Sequence, residues 1–70
     1  MPRKKTDGLT PRELEIMQWY ADGKIGSEIG IILGISVNTV AFHRARVYKK
    51  VGVYRTAHAV AECIRRGLIQ

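Results

Sequence analysis

Seventy residues make one small domain, a size that buries only about 60% of its unfolded surface and is marginal without help. The lone cysteine, Cys63, excludes an internal disulfide and a cysteine zinc knuckle, so stability must come from helix packing, dimerisation or both. The net charge of +6 lies wholly in the second half. Residues 1–35 balance five cations (Arg3, Lys4, Lys5, Arg12, Lys24) against five acids (Asp7, Glu13, Glu15, Asp22, Glu28). Residues 36–70 set seven cations against Glu62 alone, with no acid from Ser36 to Arg55. A polyanion is the natural partner of such a segment, and a merely solubilising surface is the competing explanation. The longest apolar run, Ile29 to Ile35, spans seven residues against the roughly 20 a bilayer requires, so no membrane segment or signal peptide is expected.

Residues 1–8 are polar and basic without apolar periodicity and read as a flexible arm or linker stub, leaving residues 9–70 as the folded domain. The first helix starts at Thr10 as N-cap, with Pro11 in its first position, Glu13 completing a capping box, and Leu9 and Leu14 spaced for a hydrophobic staple. Ile16, Met17, Tyr20 and Ala21 follow at helical spacing, and Asp22-Gly23 ends the element. A short second helix is expected over Ser27–Leu33, with Ile29, Ile32 and Leu33 inward and Gly34 as its stop. Ile35 then plugs the core and Ser36 caps a third helix over Val37–Val51, closed by Gly52. On a wheel of about 100° per residue, Val40, Val47 and Val51 share one face, with His43 at its margin. The opposite face carries Asn38, Phe42, Ala45 and Lys49, flanked by Ala41 and Arg46. An outward phenylalanine among cations is the kind of exception that carries information. A fourth helix is expected over Thr56–Arg66 with Ala57, Val60, Ala61 and Ile64 inward. Gly67 ends it, and Leu68-Ile69 fold back on the core.

Helix, glycine-bearing turn and basic helix form the helix-turn-helix pattern, in which the second helix of the pair fits a major groove about 12 Å wide. The residues are more specific than the pattern. Leu9-Thr10-Pro11-Arg12-Glu13-Leu14-Glu15-Ile16-Met17, Ala21-Asp22-Gly23-Lys24, Glu28-Ile29, Leu33-Gly34-Ile35-Ser36, Thr39-Val40, Phe42-His43, Lys50 and Gly52-Val53 closely resemble the LuxR-type (GerE/NarL-like) DNA-binding domain over residues 9–69. Phe42-His43 and the Gly67-Leu68-Ile69 ending look most like its quorum-sensing branch, which carries a signal-binding domain upstream that this chain does not contain.

The resemblance implies an all-α, four-helix bundle with the third helix as recognition helix, acting in a bacterial transcription regulator. It implies double-stranded DNA as partner, an inverted-repeat site, and a homodimer paired through the fourth helix. Base contacts fall on Ala41, Phe42 and Ala45, joined by Asn38 and Arg46 as the polar members of that face. Phosphate contacts fall on Lys24, Ser36, Thr39 and Lys50, with Lys49 and Arg55 as further cations. The dimer face is expected at Ala59, Glu62, Cys63 and Arg66. A cytoplasmic, nucleoid-associated location follows, with no cofactor, metal or catalytic residue.

Some positions depart from the family's habit. Ala41 offers a methyl where Lys or Arg is frequent. Ile25 stands where Ser or Thr usually opens the second helix, leaving Gly26 or Ser27 to cap it. Gly30 replaces a usual Ala at about 1 kcal/mol of helix propensity. Arg55-Thr56 reverses the usual polar-then-basic order, leaving Arg55 to reach the phosphate from one residue earlier.

Other residues carry bland readings beside functional ones. His43 reads as structural, with a ring able to donate to a phosphate. Arg44 sits at the core rim, to snorkel or to pair with Glu13 or Glu28. Arg12 is placed to brace Glu28, or to form a surface pair of little worth. Trp19 and Leu14 lie off the main face of the first helix, to cover the base of the fourth helix or meet another domain. Cys63 reads as packing rather than as a reactive thiol. His43 and His58 stand about four helical turns apart, and no nucleophile–base set, metal cluster or phosphate-binding loop accompanies them. Two other classes remain beside the regulator: a helical adaptor for an acidic protein, and a sequence-indifferent nucleic-acid binder.

Overall fold

The computed structural model describes residues 6–70, which form four helices and no strand: α1 (Pro11–Ala21), α2 (Gly26–Leu33), α3 (Val37–Val51) and α4 (Thr56–Arg65). Most of the basic arm expected over residues 1–8 lies outside the described residues. Its last part packs on the bundle: Thr6 O accepts from Leu9 N–H at 3.0 Å, and Asp7 Oδ2 accepts from Arg66 Nη1 at 3.2 Å.

Local chemistry sets each helix start. Thr10 Oγ1 accepts from Glu13 N–H at 3.1 Å and Glu13 Oε1 accepts from Thr10 N–H at 2.9 Å, the reciprocal box that satisfies two orphan amides. At the start of α3 Ser36 Oγ accepts from Thr39 N–H at 3.1 Å, a single cap bond. Neither Gly26 nor Ser27 caps α2. Ile25 takes the cap position without a side-chain acceptor, and Glu28 Oε1 accepts its N–H at 2.9 Å, so α2 has half a box and starts at Gly26.

The turn between α2 and α3 is built on two glycines. Gly34 adopts φ 70°, a left-handed conformation costly for side-chain-bearing residues, and so reverses the chain. Gly30 lets the turn close: Ile35 N–H bonds to Gly30 O at 2.9 Å, and a Cβ on Gly30 would stand 2.8 Å from Ile35 O. The glycine that costs helix propensity thus gives the turn its approach.

α3 packs against each of the other three helices and links two apolar clusters. Ile16, Ile29 and Val40 close one beneath α2, covered by Trp19, Tyr20, Leu33 and Ile35. Leu9, Met17, Val47, Val51, Val53, Ala59, Cys63 and Ile69 form the other between α1, α3 and α4. Leu14 covers this second cluster, so Trp19 and Leu14 serve different parts of the core.

Two inward faces differ from expectation. Ile32 is exposed, because α2 is short and apolar on several sides and only Ile29 and Gly30 are buried in it. In α4 the buried residues are Ala59 and Cys63; Ala57, Ala61 and Ile64 are exposed and Val60 is half-buried. The helix is turned so that Arg66, flanking the Ala59–Cys63 stripe, reaches Asp7, Glu62 and the Val51 carbonyl at 3.2, 2.9 and 3.3 Å. Small side chains at 59 and 63 then let α4 lie close to its neighbours.

Candidate nucleic-acid interface

α3 turns Val40, Val47 and Val51 into the core and so presents its other side along its whole length. Asn38, Thr39, Phe42, Ala45, Arg46 and Lys49 are exposed there and Ala41 is half-buried. Phe42 remains 59% exposed, although Val40 two residues earlier has no exposed surface. Arg46 covers its ring, with Cζ 5.6 Å from the centroid, a cation–π distance. Phe42, Ala45, Arg46, Lys49 and Lys50 line a shallow hollow of about 420 Å3. A neighbouring hollow of about 480 Å3 continues from Ala45 and Lys49 to Gly52, Val53 and Tyr54, whose ring is 92% exposed.

One carboxylate organises this face from beneath. Glu13, with a side chain 1% exposed, accepts from Arg46 Nε through Oε2 at 3.2 Å and from Lys50 Nζ through Oε1 at 2.7 Å, while capping Thr10. Burial pushes its carboxyl up, but hydrogen bonds from Lys50, the Thr10 amide and Arg46 outweigh this and hold it below the ordinary glutamate value. Arg46 spends only Nε on Glu13, and neither Nη is bonded to any described residue. Both Nη atoms are therefore left for another acceptor, on a side chain that is 50% exposed and lies over Phe42. The sequence shows Glu13 as a capping residue; its ties to residues 33 and 37 positions away have no local signature.

Of the six expected phosphate-contacting residues, Lys50 is tied to Glu13 and 25% exposed, and the other five fall into three groups. Lys49 and Arg55 are exposed and, among the described residues, unpaired. Ser36 and Thr39 are exposed at the start of α3, their hydroxyls 3.0 Å apart. Lys24 lies on another side, in a hollow of about 610 Å3 shared with Tyr20, Arg44, Thr56 and Ala57. Thr56 is tied inward, its hydroxyl 2.6 Å from Tyr48 Oη, which leaves Arg55 as the outward member of the reversed pair.

Other expected pairings are replaced. Arg12 meets Glu15 at 3.3 Å, one turn along its own helix, and not Glu28. Arg44 pairs with neither acid: it donates to Tyr20 Oη at 3.3 Å and lies about 6 Å from the Tyr20 and Tyr48 ring centres. His43 stacks edge-on against Phe42, and its Nδ1 is buried without a partner among the described residues. The expected dimer face is not available as drawn. Ala59 and Cys63 have no exposed surface, and Glu62 and Arg66 are half-buried and bonded to each other. Burial pushes the Cys63 thiol up, away from thiolate chemistry. Hydrogen bonds from Arg66 and then Arg65 hold the Glu62 carboxyl below its ordinary value.

Residues 7–62 match the luxR family of bacterial regulatory proteins, the GerE type. The chain belongs to this family. It is 45% identical over 62 residues to the HTH-type quorum sensing-dependent transcriptional regulator RpaR of Rhodopseudomonas palustris, covering 89% of this chain and 26% of that one. It is 48% identical over 61 residues to the HTH-type quorum-sensing regulator RhlR of Pseudomonas aeruginosa, covering 87% and 25%. The chain thus spans about a quarter of the length of these relatives. Among solved structures, the transcription factor GerE superposes with a TM-score of 0.84 at 35% identity, covering 89% of this chain and 92% of that one. Escherichia coli SdiA gives 0.86 at 34%, covering 100% and 29%. The four-helix, all-α architecture is that of the LuxR-type DNA-binding domain.

Proposed function

We propose that this LuxR-family domain binds double-stranded DNA sequence-specifically, with α3 seated in the major groove, as the DNA-reading part of a transcription regulator and not as a catalyst. The observation that carries this reading is the acid-free outward face of α3, on which an exposed Phe42 stands among Asn38, Ala41, Ala45, Arg46 and Lys49. An α-helix fits the major groove, and side chains of this mix suit base edges and thymine methyls. Asn38, Ala41, Phe42, Ala45 and Arg46 read bases. Lys24, Ser36, Thr39, Lys49, Lys50 and Arg55 meet phosphates.

On an inverted repeat two copies pair through the outward side of α4. Ala57, Ala61 and Ile64 take the place of the buried Ala59 and Cys63 in that contact. No helix among the described residues is long and apolar enough to cross a membrane, which fits a regulator acting on the nucleoid in the cytoplasm. In a longer protein, a signal-binding domain upstream would control the pairing. No cofactor is needed for any of these steps.

The test is titration of the chain against the duplex it selects from a randomised library and against a scrambled duplex, over a range of salt. Preference for the selected duplex, with affinity falling at a log–log slope of about −0.9 per phosphate contact, supports the reading. Equal affinity for both duplexes identifies a sequence-indifferent binder, and no duplex binding at moderate salt identifies a protein adaptor.

A further inference from the structure

We propose that Glu13, a residue of α1 outside the helix-turn-helix pair, is a positioning residue for base reading. It fixes the fork of Arg46 over Phe42 and offsets part of the positive charge of α3, so that the domain discriminates between sequences instead of adhering to any phosphate backbone. The inference rests on the DNA-binding reading above.

The geometry assigns Glu13 this role in three steps. First, its carboxylate is buried and anchored. It is 1% exposed and tied to the Thr10 amide at 2.9 Å, so the first turn of α1 sets its position. Second, it holds Arg46 by the one nitrogen that leaves the planar fork free. The Nε bond at 3.2 Å and the Phe42 ring 5.6 Å from Cζ hold the guanidinium at two points, while neither Nη is bonded to a described residue and the side chain is 50% exposed. A fork fixed in this way recognises two acceptors side by side, as on guanine, better than a mobile cation does. Third, Glu13 places one negative charge beside Arg46 and Lys50, so the three side chains present +1 to an approaching polyanion instead of +2. Sequence-independent affinity depends on that charge, whereas base reading depends on where the fork points.

A capping residue with incidental ion pairs would behave differently. Its loss would lower stability and would scale binding to all duplexes alike.

The experiment uses Glu13→Gln, which keeps a side-chain oxygen for the Thr10 amide and removes the charge. Probes are the duplex selected by the wild-type chain and a scrambled duplex of equal composition. Expected results are an affinity for the scrambled duplex raised about three- to ten-fold, a salt slope steeper by up to about 0.9, and preference for the selected duplex reduced at least about five-fold. In an Arg46→Ala background, Glu13→Gln should change the preference by less than about two-fold, because the pathway runs through Arg46.

Arg46→Lys provides a variant that leaves the cap untouched. It keeps the charge and loses the fork, so preference should fall about five-fold with the salt slope unchanged. If Glu13→Gln is unfolded by circular dichroism, the Arg46→Lys result decides. A folded Glu13→Gln that keeps its preference within about two-fold overturns the inference, as does an Arg46→Lys that keeps its preference. Failure of the wild-type chain to prefer any selected duplex overturns the DNA-reading proposal instead.

Discussion

Replacing Glu13 by Ala tests how far the bundle depends on its one fully buried acid. The carboxylate satisfies the Thr10 amide, Arg46 and Lys50 at 2.9, 3.2 and 2.7 Å. Breaking a buried ion pair by removing one partner typically costs about 3–5 kcal/mol. That figure needs discounting here, because the Arg46 and Lys50 side chains are 50% and 25% exposed and recover hydration when released. The orphaned amide at the start of α1 adds up to about 1 kcal/mol, the scale of a lost cap. We expect a net loss of about 2–3 kcal/mol, which for a domain of this size lowers Tm by about 10–20 °C. Urea and thermal unfolding followed by helical circular dichroism measure it. Glu15→Ala is the control: it removes an acid from the same helix, but one paired with Arg12 at an exposed site, and should cost less than about 0.5 kcal/mol. A loss below about 1 kcal/mol for Glu13→Ala would show that the carboxylate does not organise the α1–α3 contact.

Because the folded Glu13 carboxyl titrates below its ordinary value of 4.5, its stabilisation is complete above that pH and disappears as pH falls through the lowered value. Thermal scans should therefore show Tm dropping below about pH 4.5, and the drop should be smaller in Glu13→Gln. Gly30→Val puts a branched side chain where even a Cβ stands 2.8 Å from the Ile35 carbonyl; a loss of at least about 2 kcal/mol in urea unfolding is expected. Ile64→Asp places a charge on an outward position of α4 that is 46% exposed. Sedimentation should show unchanged stability and half-site binding, with two-copy occupancy of an inverted repeat reduced about ten-fold or more, the effect of at least about 1.4 kcal/mol. Substituting uracil for thymine in the selected half-site should weaken binding through the lost methyl, and Phe42→Ala should remove that difference in a competition gel shift.

Most of this fold was legible because its signals are local. Thr10, Pro11 and Glu13 mark the start of α1, Ser36 marks that of α3, and Gly34 and Gly52 mark the stops of α2 and α3, each within a turn of its own helix. The outward side of α3 was legible for a related reason. Three valines make a single apolar stripe, so the opposite side is fixed by the helical period. α4 offers two candidate stripes, Ala57–Val60–Ala61–Ile64 and Ala59–Cys63, and the wheel favours the larger. What decides between them is tertiary: Arg66 finds Asp7 and the Val51 carbonyl, and the narrower stripe goes inward. Ile32 fails similarly, since a helix of eight residues with only Ser27 and Glu28 polar is weakly oriented by its own pattern. Glu13 was legible as a cap, but the α3 cation offered to it was Arg44 and not Arg46 or Lys50, because which cation it meets in this second role depends on how α1 crosses the bundle.

That second role changes what a charge count along the chain means. Residues 36–55 carry Arg44, Arg46, Lys49, Lys50 and Arg55 without one acid, as if each cation were available to a polyanion. Folding brings Glu13 from the balanced half of the chain against two of them and directs Arg44 to Tyr20. Lys49 and Arg55 are unpaired among the described residues and suited to backbone attraction, while Arg46 is held through Nε by Glu13. A domain in which every cation stayed free would bind more tightly to all DNA and discriminate less, because the electrostatic contribution is blind to sequence. On the proposed reading, the charge asymmetry visible in the sequence supplies the attraction to DNA, and the acid that crosses from α1 restrains it enough for bases to be read.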